Sequence, residues 1–227
     1  MRRLGIYTRD FRFYHEILKI LKNWGLPFVS ITESMDIPKD VAVIISSNDD
    51  QSISGDQLRC SDPLSAVRKG ISFLIGKDRF NVVVIGIDPG PKPGFAVMAD
   101  GILIEAFECA DKETLIRNVE KAADGYSCRS FLVRVGDGDI PNRNQIIIEL
   151  KKNGFAVEMI DESNTSQPHK MHDNALSAAR IANGGMVSYP AYTGHRRRDL
   201  YEIEFTTLRR ALIKTAGVTA SFSISVF

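Results

Sequence analysis

Residues 82–101 read Val82-Val83-Val84-Ile85-Gly86-Ile87-Asp88-Pro89-Gly90-Pro91-Lys92-Pro93-Gly94-Phe95-Ala96-Val97-Met98-Ala99-Asp100-Gly101. The apolar run from Val82 to Ile87 predicts a strand covered on both faces, and it ends on one carboxylate, Asp88. A Pro/Gly turn and a second apolar run follow. Asp100-Gly101 then supplies the two residues that a type I′ hairpin turn needs at positive φ. Burying the first run carries Asp88 to the rim of a sheet core, where a charge must be paired, hydrated or bound to a cation. Two readings of Asp88 follow: a carboxylate placed for use, or a cap on the Pro-Gly turn.

Working outward, strands are expected at 82–88, 94–99 and 102–108. Asp111 starts a helix to about Ala123, with Leu115, Ile116, Val119 and Ala122 on one face. Ser130 to Val135 is a fourth strand, leading into the polar loop Gly136-Asp137-Gly138-Asp139. A helix over 142–153, a strand over Phe155 to Ile160, a loop over Asp161 to His169 and a helix over 170–183 complete the series. Ala175, Ala178, Ala179 and Ala182 give that last helix a small-residue face suited to close approach. The order β-β-β-α-β-α-β-α predicts an α/β fold in which three antiparallel strands are extended by parallel ones through helical crossovers. Alternation along Ile102 to Phe107 directs Glu105 to solvent.

The first 78 residues predict a small α/β domain. Leu4 to Tyr7, Phe28 to Ile31 and Val41 to Ile45 read as strands of a three-stranded layer, with Ser46 to Gly55 as a loop. Phe13, Ile17, Ile20, Leu21 and Trp24 recur at helical spacing between Asp10 and Gly25, and Asp62-Pro63 opens a second helix. The expected division is 1–78, 79–190 and a 191–227 extension holding a basic amphipathic helix and an alternating, strand-like end.

The chain has 227 residues, a formal net charge of +1 and three cysteines without a CxxC pair. The charge gives no overall pull toward polyanions, so such affinity must come from local patches. Cys60, Cys109 and Cys128 read as free, buried thiols of a cytoplasmic protein rather than zinc ligands. No apolar signal core follows Met1-Arg2-Arg3, no run is long enough to span a membrane, and no membrane partner is expected.

The strand order is similar to that of the RNase H-like superfamily. Gly86-Ile87-Asp88-Pro89-Gly90 with Gly94-Phe95-Ala96-Val97 resembles the first-strand signature of its RuvC-type and YqgF-type members, over roughly residues 80–185. The resemblance implies an RNase H-like mixed five-stranded sheet with flanking helices. It also implies acids on the first strand, fourth strand and last helix that hold two divalent ions, Mg²⁺ or Mn²⁺, for phosphodiester hydrolysis in structured DNA or RNA. Asp88 matches the first acid. Near the last helix, Asp173 is the candidate, with His169 one turn before it and Asn174 standing at the acid's place if the Ala175-Leu176 pair sets the register. Asp173 also fits a carboxylate drawn to a helix N-terminus. The fourth strand departs from the pattern. It carries Arg134, suited to a phosphate, and its nearest acids are Asp137, the expected ligand, and Asp139, a candidate turn-former before Pro141.

Lys92, in the turn after Asp88, is placed to meet a phosphate. Arg196, Arg197 and Arg198, near Tyr189, Tyr192 and Tyr201, form the clustered positive charge of the chain and could bind nucleic acid; Asp199, Glu202 and Glu204 make a solvated helix face the competing reading. The expected function is therefore metal-dependent nuclease action with Asp88, Asp137 and Asp173 as catalytic ligands and His169 as a further metal ligand. A catalytically inactive RNase H-like nucleic-acid-binding or interaction protein is the alternative, and an actin-like nucleotide-binding protein is a third. The alternating Ser221 to Phe227 segment also makes a homodimer an expectation.

Overall fold

The computed structural model describes residues 2–33, 36–161 and 174–184. The chain divides into two compact units, one holding residues up to 80 together with 121–127, the other holding 81–120 and the described residues from 128 onward.

In the first unit, β1 (Arg3–Ile6), α1 (Phe11–Asn23), β2 (Phe28–Ser30), β3 (Val41–Ser46), β4 (Gln57–Arg59) and α2 (Pro63–Leu74) build a parallel sheet of order β2-β1-β3-β4. The expected three-stranded layer is thus four-stranded, because Gln57–Arg59 pairs with β3 after the polar loop. Such a short run lacks the apolar repeat that marks a strand in a sequence. Local chemistry sets the helix ends. The Asp10 carboxylate accepts from the Arg12 and Phe13 N–H groups, Asp62 accepts from Ser65 N–H ahead of Pro63, and Gly25 leaves α1 at φ 62°. Phe13, Ile17 and Leu21 of α1 pack with Leu4, Ile6, Val43 and Ile45 of the sheet and Ala66 and Val67 of α2.

The second unit is an α/β fold with a mixed five-stranded sheet and flanking helices. It contains β5 (Phe80–Asp88), β6 (Gly94–Ala99), β7 (Ile102–Glu108), α3 (Lys112–Gly125), β8 (Cys128–Gly136), α4 (Ile140–Lys152), β9 (Val157–Ile160) and α5 (Asn174–Ala182). The first residue of β5 and the last turn of α3 group with the first unit. The mixed sheet has the order β7-β6-β5-β8-β9, with β6 antiparallel to β5 and β7, and β8 parallel to β9. Asp100 and Gly101 turn at φ 47° and 79°, both positive as a type I′ hairpin requires. Asp111 accepts from Thr114 N–H at the start of α3, and Asp139 caps α4 through Asn142 N–H.

A second expectation is corrected here. Glu105 does not face solvent; it is 8% exposed. Met98 pairs with Leu103 and Val97 with Glu105, so Ile104 is an extra residue in β7. This bulge puts Leu103, and beyond it Ala106 and Glu108, on the face toward α5. Glu105 shares the opposite face with Phe107, whose ring packs on Phe95 at 4.9 Å. Alternation alone assigns this face to solvent, but Phe95 and Val97 beside Glu105 are fully buried. Among the described residues, no helix is long and apolar enough to cross a membrane.

Candidate functional site

The site is the rim of the second sheet at the carboxyl end of β5. Phe80 N–H donates to Ser127 C=O at 2.9 Å, so β5 and β8 begin side by side and run the same way. Asp88 ends β5, Gly136 ends β8, and Gly136 lies opposite Ile160 in β9. The antiparallel β6 starts at this rim with Gly94, and β7 returns to it with Glu108. Asp88, Lys92, Glu108, Asp137 and Asp161 therefore leave the sheet along one edge.

The glycines decide what lies over this edge. A Cβ built on Gly86 would sit 2.0 Å from the Ala178 carbonyl oxygen and 2.5 Å from Ala182 N. One built on Gly94 would sit 1.8 Å from the Asn174 carbonyl oxygen. The backbone of α5 thus rests directly on two sheet positions that cannot carry a side chain. Ala178 and Ala179, both fully buried, complete the contact with Ala96 and Leu103. Residues alternate along a strand and keep the same face across a paired register. Asp88, two residues from Gly86 and paired with Gly94, therefore projects on the α5 face beside the first turn of that helix. Asp88 is half-buried there.

Glu108 lies in the same row, one strand beyond Gly94. Its Oε2 accepts from Asn174 Nδ2 at 2.8 Å, and the same amide nitrogen donates to the Lys92 carbonyl at 2.7 Å. The Lys92 ammonium stands 4.0 Å from the other Glu108 oxygen, both groups largely in water. The sequence offered no motif for Glu108. Its only signal was its place at the strand end opposite Gly94.

Asp137 follows β8 at the same edge and is half-buried. Its N–H donates to Ile160 C=O, and its own C=O accepts from Arg143 of α4 at 2.9 Å. Arg134 lies on the α5 face but is committed to the fold: Nε donates to Glu158 at 2.8 Å and Nη1 to the Ala182 carbonyl at 2.8 Å, closing the C-terminal end of α5. Asp139 is the α4 cap, with φ 30°. Asp173, His169 and Arg196 to Arg198 lie outside the described residues.

Beside Glu108, burial pushes the Cys109 thiol above its ordinary value, against a weaker opposing hydrogen bond from Asn118. Hydrogen bonds from Thr114 hold Asp111 below the usual carboxylate range. Among the described residues, no three His, Cys, Asp or Glu side chains come together as a metal site. Asp88 and Asp137 alone do not make the donor set that a pair of hard divalent ions needs.

A model of response regulator receiver-like domains matches residues 3–74, the first unit's four strands and two helices. No curated protein matches the chain. Among solved structures, the chain is similar to T. thermophilus RuvC in complex with a Holliday junction substrate. The two are 18% identical with a TM-score of 0.29, and the match covers 60% of this chain and 97% of that one.

Proposed function

We propose that the second unit is a RuvC-like nucleic-acid-processing domain, hydrolysing phosphodiester bonds in structured DNA or RNA at the Asp88 rim. The observation that carries this reading is the placement of Asp88. It ends the central strand, projects on the face that α5 covers, and stands beside the first turn of that helix. Open α/β sheets bind ligands beyond the carboxyl ends of their strands, and the Lys92 ammonium at this edge suits a phosphate oxygen. In the proposal, Mg²⁺ or Mn²⁺ is held by Asp88 with Asp137, Asp173 and His169. The described part of that set does not gather three ligands, so no chemical step is derived through the ions.

A second reading has its own observation. Asn174 opens α5 next to Asp88, and its amide is donated to Lys92 and Glu108. A neutral amide where a carboxylate would strengthen cation binding favours a nucleic-acid-binding protein without cleavage. Titrating Mn²⁺ into wild type and Asp88→Asn separates the two. A melting temperature that rises with Mn²⁺ in wild type alone supports the metal-dependent reading. Branched-DNA binding with no response to Mn²⁺ in either protein supports the second, and neither response refutes both.

A further inference from the structure

We propose that Asn174 is a positioning residue that joins three segments into one hydrogen-bonded unit around Asp88: the 89–93 turn, the end of β7 and the start of α5. Its importance to function rests on the reading of Asp88 as the working carboxylate; its geometry does not.

Contact with Gly86 and Gly94 fixes the height of α5 above the sheet, since backbone meets backbone at both places. The residues of α5 that rest on the sheet include the small Ala178, Ala179 and Ala182, and hydrogen bonds at the helix ends add to the hold of the buried Leu176 and Ile181 on its position along the axis. Among the described residues, side-chain hydrogen bonds hold both ends of the helix. Arg134 holds the Ala182 carbonyl at the C-terminal end. At the N-terminal end the anchor is a single amide nitrogen, with its two hydrogens shared between the Lys92 carbonyl at 2.7 Å and the Glu108 carboxylate at 2.8 Å. The bond to Glu108 is charge-assisted, the stronger kind.

The partners give the arrangement its direction. Lys92 belongs to the turn that begins at Asp88, and Cys109 N–H donates to Pro93 C=O at 2.8 Å, tying that turn to the end of β7. The residue whose ammonium would meet a phosphate is therefore the residue whose carbonyl positions α5. A carboxylate at position 174 could not do this, because it offers no hydrogen to either acceptor and would repel Glu108.

The test uses the full chain without metal or nucleic acid, and reads amide hydrogen exchange in α5 and at Cys109, whose N–H is bonded to the turn at Pro93. Asn174→Asp is expected to speed exchange at α5 and at the turn together, by about tenfold to a hundredfold. Adding Glu108→Gln to Asn174→Asp restores the bond to the end of β7 with donor and acceptor exchanged but not the one to the Lys92 carbonyl, so it should recover part of the protection in α5 and less at the turn. Asn174→Ser, with one short donor, should fall between. A merely structural loss of helix stability would speed α5 while leaving the turn unchanged, with no recovery in the double variant. That result overturns the proposal, as does Asn174→Asp exchanging within twofold of wild type. Failure of the nuclease reading would instead appear as absent Mn²⁺ and nucleic-acid responses, which this measurement does not touch.

Discussion

Replacing Gly86 by alanine adds one methyl group at the centre of the sheet and should lift α5 from it. The new Cβ would lie 2.0 Å from the Ala178 carbonyl oxygen, 2.5 Å from Ala182 N and 2.7 Å from Ala182 Cβ. Ordinary contact begins near 3.4 Å, so the helix backbone must retreat by about 1.4 Å or tilt equivalently. No rotamer change relieves this, because the two nearest atoms are backbone. Overpacking of this kind typically costs about 1–3 kcal/mol. The retreat also loosens a helix that buries Leu176 and Ile181 along with its alanines, so the expectation is the top of that range, about 3 kcal/mol. Urea denaturation followed by circular dichroism reads the stability, and hydrogen exchange over 174–184 reads the helix. Gly90→Ala is the control, since a Cβ there meets nothing within 4 Å; it should stay within about 0.5 kcal/mol of wild type. Gly86→Ala with a loss under about 0.5 kcal/mol and unchanged α5 protection would refute the packing argument and the placement of Asp88 drawn from it.

Arg134→Gln should lose the bonds to Glu158 and the Ala182 carbonyl and cost about 1–2 kcal/mol in urea denaturation. Arg134→Lys should not restore it, because an ammonium lacks the guanidinium's planar fork. Unchanged stability with a weaker salt dependence of nucleic-acid binding would instead return Arg134 to a phosphate role. In the first unit, Arg3 binds Asp40 through two bonds of 2.7 and 2.8 Å and holds its carboxyl below the ordinary value. A lowered folded value contributes stability that is present above the unfolded value and is lost as pH falls through the folded one. Acid titration of unfolding should therefore show a loss below the usual aspartate range, and Arg3→Gln should shrink it; identical acid limbs in the two proteins would contradict this.

Much of the fold was legible because its signals are local. The unbroken Val82 to Ile87 run, the Asp100-Gly101 turn and the caps at Asp10, Asp62 and Asp111 each fix a short segment by its own chemistry. The alanine spacing of α5 also announced a close approach to the sheet, though not onto which glycines. What stayed hidden depends on partners distant in sequence. Arg134 read as a phosphate ligand because nothing near it in the chain reveals Glu158 or the Ala182 carbonyl. Glu105 was misplaced because the covered face it shares with Val97 and Phe107 shows only in the pairing of β7 with β6. Glu108 and Asn174 are separated by 66 positions and meet only because Gly94 lets α5 descend between Asp88 and β7. In the first unit, β4 is three residues whose strand character comes from β3 rather than from their own sequence.

The central claim is that Asp88 works on nucleic acid at this rim. The most direct measurement incubates wild type and Asp88→Asn with labelled four-way DNA junctions, single-stranded DNA and structured RNA, with Mn²⁺ or Mg²⁺ and with a chelator. The account predicts ion-dependent cleavage of at least one substrate by wild type. It also predicts a loss on the order of a hundredfold or more in Asp88→Asn, since even partners of metal ligands are worth tenfold to a hundredfold. Cleavage that Asp88→Asn retains would contradict the assignment of Asp88, and a wild type that neither binds nor cuts any of these substrates would contradict the claim as a whole.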